Sequence, residues 1–202
     1  MVKNLFCTLI KWASGISTLF FIFAMFTPEL LMRIYTPDTA LIKIGASYLR
    51  SVSISYLFSG ITQCYYLIMK LEGKASKSVI ISIITLITDV VLDFFLIYGI
   101  AGVPKLEANG SAYSTVVVEL IALIWCIVES HRGESIHPDL QGVKWFSPDI
   151  TKDLFKIALP MLGSSLAWGL GFSMHSLIMG HLGSDATAAA SIASVAQELI
   201  TC

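Results

Sequence analysis

The sequence predicts an all-α integral membrane protein, and three observations carry that reading. Mean hydropathy is +0.78. Hydrophobic residues make up 55% of the 202-residue chain and charged residues 13%, about half the charged share of a soluble domain. The apolar residues also come in runs of roughly 20, the length a helix needs to cross a bilayer. The partner these runs imply is the lipid bilayer. A net charge of −1 gives no electrostatic basis for a nucleic-acid partner.

Five spans and a shorter sixth follow one another along the chain. Span one covers about 5–26, "LFCTLIKWASGISTLFFIFAMF", with Lys11 its one charge. An amphipathic link, "TPELLMRIYTPDTALI", follows, broken by Pro28 and Pro37. Span two runs about 41–69 and is separated by "KLEGKASKS" from span three, about 79–100. The link "AGVPKLEANG" leads to span four, about 111–128. Residues 129–153, "ESHRGESIHPDLQGVKWFSPDITKD", are the one extended polar stretch and read as a linker between two units, 1–128 and 154–202. Span five covers about 154–179, and after "GHLGSDAT" a sixth apolar segment of about 15 residues begins. That is short for a crossing, so the sequence reads as a truncated piece of a larger protein.

Basic residues set the orientation. With a cytoplasmic N-terminus the inner side receives Lys3, Lys70, Lys74, Lys77, Arg132, Lys144, Lys152 and Lys156, and the outer side only Arg33, Lys43 and Lys105. This bias predicts a multi-pass protein of the cell membrane with its N-terminus and the 129–153 linker in the cytoplasm. Arg50 falls near the outer end of span two, where its guanidinium can snorkel. The cysteines (Cys7, Cys64, Cys126, Cys202) are far apart and without metal-ligand spacing, so packing rather than metal binding or a disulfide framework is expected.

Asp89 and Asp93 are the only charges between Val79 and Pro104. Four residues apart on a helix, they share one face. Each ionised carboxylate at mid-membrane costs ~2.5–3.5 kcal/mol on an insertion scale. Two together cannot both ionise without a counter-cation, so the pair titrates as a unit and is suited to binding and releasing H⁺ or Na⁺. The alternative is a pair of protonated acids bonded to a neighbouring helix. Span two adds Ser55, Ser59, Thr62, Gln63 and Tyr66, and span four adds Ser111, Thr115 and Glu119 at i, i+4 and i+8. These faces read either as cavity lining or as helix–helix hydrogen bonding. "EGK" at 72–74 lacks the glycine and hydroxyl spacing of a phosphate loop. His175 and His181 read as interfacial packing ahead of proton relay. No nucleophile constellation is present, and two aspartates on one helix do not make the facing dyad of an intramembrane protease. The expectation is that the chain is not an enzyme.

Four stretches, in order, resemble the multidrug and toxic compound extrusion (MATE) family of cation-coupled efflux transporters. They are "FTPELLMRIYTPDTALIKIGASYLR", "LEGKASKSVIISIITLITDVVLDFFLIYGI", "ANGSAYSTVVVELI" with its Gly-x-Ala-x-x-Thr, and "LFKIALPMLGSSLAWGLGFSMHSLIMGHLGSDATAAASIASVAQEL". The resemblance implies about helices three to eight of a twelve-helix, two-lobe fold: the rest of the N-terminal lobe over 1–128, the inter-lobe linker over 129–153, and the start of the C-terminal lobe over 154–202. It implies antiport of organic cations or drugs against H⁺ or Na⁺, no other cofactor, and a need for the missing parts of the same transporter. Asp93 matches the Asp of the family's Asn-x-x-x-Asp, Asp89 stands where Asn is common, and Thr115 matches a Thr near that site. Gln63 and Tyr66 fall where polar residues line the same lobe, with Ser59, Thr62 and Glu119 as further candidate lining. The stretch "GSSLAWGLG" holds no carboxylate where some members carry a Glu. A related flippase of lipid-linked sugars, or a membrane fragment without transport activity, are the other readings.

Overall fold

The computed structural model describes residues 2–99, 106, 108–132 and 148–201. Seven helices run through them: α1 (Val2–Phe26), α2 (Pro28–Tyr35), α3 (Thr39–Leu71), α4 (Ala75–Tyr98), α5 (Ala108–Arg132), α6 (Pro148–Leu182) and α7 (Ser184–Thr201). There is no strand among the described residues. Five helices are long and apolar enough to cross a membrane: α1, α3, α4, α5 and α6. The all-α membrane class follows.

Local chemistry sets the helix ends. Pro28 opens α2, where its missing N–H is one the first turn would leave unbonded anyway. The link expected over this stretch is therefore itself a short helix. It ends at Thr36, which is extended ahead of Pro37. Asp38 then caps α3 by accepting the Ala40 N–H at 2.8 Å. With 33 residues, α3 is roughly 50 Å long, well beyond a ~30 Å hydrocarbon core, so it tilts or projects from it. Gly99 closes α4 in the left-handed conformation, φ 68°, and its N–H reaches the Phe95 carbonyl. The expected 129–153 linker is helical at both edges, since α5 continues to Arg132 and α6 begins at Pro148. Ser130 is buried, and Glu129 pairs with Lys77 of α4. Residues 133–147 lie outside those described.

At the centre, α3 packs between α1 and α5, and α4 lies against α5. The core joins Phe6 of α1, Cys64, Tyr65, Ile68 and Met69 of α3, Ile81 of α4, and Leu123 and Cys126 of α5. Phe6 and Tyr65 meet edge to face with ring centroids 5.1 Å apart. Cys64 and Cys126 are packing residues here, and Cys202 lies outside the described residues. α6 meets α1, α2 and α7 only. Its Phe155 packs edge-on against Trp12, and its Gly180 lies against the Tyr35 carbonyl, where a Cβ would come within 2.5 Å of that oxygen. α6 therefore runs alongside α1 in the same direction. Large apolar side chains face outward, with Phe26 75% and Trp168 77% exposed. Such a surface needs hydrocarbon or further helices against it.

Candidate functional site

One face of α4 is polar along its length. Ser78, Ser82, Thr85, Asp89 and Asp93 follow at helical spacing, so their side chains stack. The hydroxyls satisfy themselves within the helix. Ser78 donates to the Ala75 carbonyl at 2.8 Å, Ser82 to Ser78 at 2.9 Å and Thr85 to Ile81 at 2.9 Å. Carboxylates have no proton to give back in this way. They must find donors on another helix, and α5 supplies them.

Asp93 is held from α5 by two serines. Ser114, fully buried, hydrogen-bonds its Oδ1, and Ser111 donates to its Oδ2 at 3.4 Å. The tight corner between the helices makes this possible. The Leu106 N–H bonds the Leu96 carbonyl at 3.1 Å, and buried Gly110 lies directly on the Leu96 backbone. The next turn of α5 then faces Asp93. Ser114 Oγ also lies 2.9 Å from the Ser111 carbonyl and stands beside the Asp89 carboxylate, so its single proton has three acceptors to choose among.

Ser114→Ala should lower the stability of the detergent-solubilised protein by about 1–3 kcal/mol, because a carboxylate oxygen loses its donor. In an Asp93→Asn background most of that loss should vanish. Thermal unfolding of the four proteins measures it. Equal losses in both backgrounds would mean that the hydroxyl acts on something other than Asp93.

Asp89 lines a separate open cavity of about 200 Å³ between α3, α4 and α5. Its polar walls are Gln63, Tyr66, Ser82, Thr85, Asp89 and Glu119, and its apolar ones Leu86, Val118 and Ala122. The Tyr66 hydroxyl stands beside Ser82 and Thr85, and Ser59 of α3 stands beside Glu119. Asp89 Oδ1 is buried and meets no hydrogen-bond donor among the described residues. A buried carboxylate oxygen without a protein donor needs a proton, a cation or a water molecule.

Of the residues singled out from the sequence, Gln63, Tyr66, Asp89 and Glu119 meet in this cavity, with Asp93 one turn further along α4. Thr115 donates instead to the Ser111 carbonyl of its own helix at 2.9 Å and makes no hydrogen bond to Asp93. Thr62 is buried and donates to the Phe58 carbonyl, outside the cavity wall. Ser59 also borders a second hollow, between α1 and α3, with Ser17 and Tyr56. Sequence reasoning missed Ser114, Ser82 and Thr85. The last two were detectable, since they precede Asp89 by seven and four residues on its own face.

The MatE family model matches residues 1–95, which include both aspartates of α4 but not their partners on α5. A probable multidrug resistance protein NorM of Mannheimia succiniciproducens is 28% identical over 176 residues, 81% of this chain and 38% of that protein. The uncharacterized transporter YisQ of Bacillus subtilis is 26% identical over 119 residues, 59% of this chain and 26% of that one. A probable multidrug resistance protein NorM of Agrobacterium fabrum is 26% identical over 123 residues, covering 60% and 26%. The chain thus spans well under half the length of the curated relatives it matches. No solved structure matches it.

Proposed function

We propose that this chain, whose first 95 residues match the MatE family model and which is similar to two probable multidrug resistance proteins, forms part of a multi-pass antiporter that exports organic cations or drugs against H⁺ or Na⁺. Residues 1–128 contribute to one lobe and 154–202 to the other. The N-terminus and the 129–153 linker lie on the cytoplasmic side of the cell membrane, as the basic residues favour.

The observation that carries this reading is Asp89 Oδ1, buried and without a donor beside Glu119 in a cavity walled by three helices. A coupling cation can supply what such a group lacks. Its arrival also has a route to α5. While Asp93 is ionised, the Ser114 hydroxyl donates a hydrogen bond to Asp93 Oδ1. Once Asp93 is protonated, the acid donates to Ser114, whose proton turns to the Ser111 carbonyl. Occupancy by a proton thereby reverses the direction of hydrogen bonding between α4 and α5. Rearrangement of the two lobes around a midplane site would convert that local change into release of the exported cation. The acidic cavity favours cationic cargo, with Tyr66 able to add a cation–π contact. It holds no basic residue to grip the phosphates of a lipid-linked sugar.

The test is export of ethidium from membrane vesicles carrying the whole transporter of which this chain forms part, under an imposed H⁺ or Na⁺ gradient. Export should accelerate with one of the two gradients and stop when it is collapsed. Export indifferent to both would overturn the coupling, and no export above control vesicles would overturn the transport reading.

A further inference from the structure

We propose that the junction of α1, α2 and α3 is a binding site for the phosphate headgroup of an acidic membrane phospholipid. Two arginines line a hollow of about 350 Å³ there: Arg33, in the last turn of α2, and Arg50, on α3. Neither makes an ion pair with any described residue. The first turn of α2 lines the same hollow through Thr27, Pro28 and Glu29. That turn is uncapped, because the Thr27 hydroxyl points back to the Phe23 carbonyl at 2.8 Å and leaves the N–H groups of Glu29 and Leu30 without a side-chain partner. The positive end of the helix dipole therefore adds to the two arginines. One carboxylate, Glu29, stands against them, so the hollow keeps a net positive charge.

The surroundings select the kind of anion. Phe26 and Leu30 flank the hollow and are 75% and 65% exposed, so hydrocarbon runs up to its rim. A phosphodiester joined to acyl chains satisfies both parts: oxygens for the planar guanidinium donors, chains for Phe26 and Leu30. A free phosphate ion satisfies only the first. This site lies on different helix faces from the carboxylate cavity, and only α3 is common to the two.

Native mass spectrometry of the purified, detergent-solubilised chain tests the assignment with three probes: dioctanoyl phosphatidylglycerol, dioctanoyl phosphatidylcholine and inorganic phosphate. Phosphatidylglycerol should bind best. Its apparent affinity should fall roughly thirtyfold in the double variant Arg33→Gln/Arg50→Gln, at ~1 kcal/mol per arginine. Arg33→Lys/Arg50→Lys, which keeps the charge but loses the fork, should fall between, and circular dichroism should confirm that both variants remain helical. Equal binding by the Gln variant, equal binding of the two lipids, or displacement of the lipid by inorganic phosphate at matched concentration would each overturn the proposal.

Discussion

Asp93→Asn should slow gradient-driven ethidium export by roughly tenfold to a hundredfold while leaving the protein folded. Asparagine keeps the volume of aspartate and can still accept from Ser111 or Ser114, so packing against α5 survives. The negative charge is lost, together with the ability to take up and release a proton. Hydrogen bonds to a charged group are worth about 1.5–3 kcal/mol, which converts to that range of rates. Asp89→Asn should be at least as damaging if the unpartnered oxygen is where the cation sits, since an amide cannot offer two equivalent acceptors. Rates measured in vesicles at equal protein content decide the matter. Export unchanged in Asp93→Asn would remove this carboxylate from the coupling machinery.

Gly110 should tolerate no side chain. A Cβ built there would lie 2.8 Å from both the carbon and the oxygen of the Leu96 carbonyl, and backbone at a helix end cannot retreat as a flexible side chain would. Gly110→Ala should destabilise the detergent-solubilised protein by about 1–3 kcal/mol, and Gly110→Leu by more. The harm is also specific. Gly110 precedes Ser111 and Ser114 within one turn, so levering α5 away from α4 withdraws both donors from Asp93. Gly163→Ala, at a position with nothing within 4 Å, is the control and should melt like the wild type. Melting of Gly110→Ala within a degree of wild type would mean that this corner is not tightly packed.

Much of this could be read from the sequence because membranes simplify it. A run of roughly 20 apolar residues has one economical conformation in hydrocarbon, so the five long helices were legible from length and composition. The carboxylates were legible for the same reason: charge is expensive there, and Asp89 and Asp93 stand out against a background of Ile, Leu and Val. Three features were not. α2 was read as a broken link, because about two amphipathic turns beside two prolines carry little periodic signal. Ser114 lost out to Thr115, one residue away, because the motif singles out the threonine. Which of two adjacent hydroxyls meets Asp93 is fixed by how α5 is rotated about its axis. That rotation is set at the Gly110–Leu96 contact, between residues 14 apart in sequence. Thr62 and Ser59 share a face with Tyr66 by spacing alone, yet the cavity opens to one side of that face and takes in Gln63 instead.

The way α6 lies along α1 carries a mechanical consequence. Its start lies against α1, where Phe155 packs on Trp12, and its end against α2, where Gly180 meets the Tyr35 carbonyl, the two separated by 25 residues of helix, roughly 37 Å. Among the described residues α6 meets none of α3, α4 and α5. A change that starts at the carboxylates of α4 therefore reaches α6 and α7 only second-hand, through whatever it does to α1 and α2.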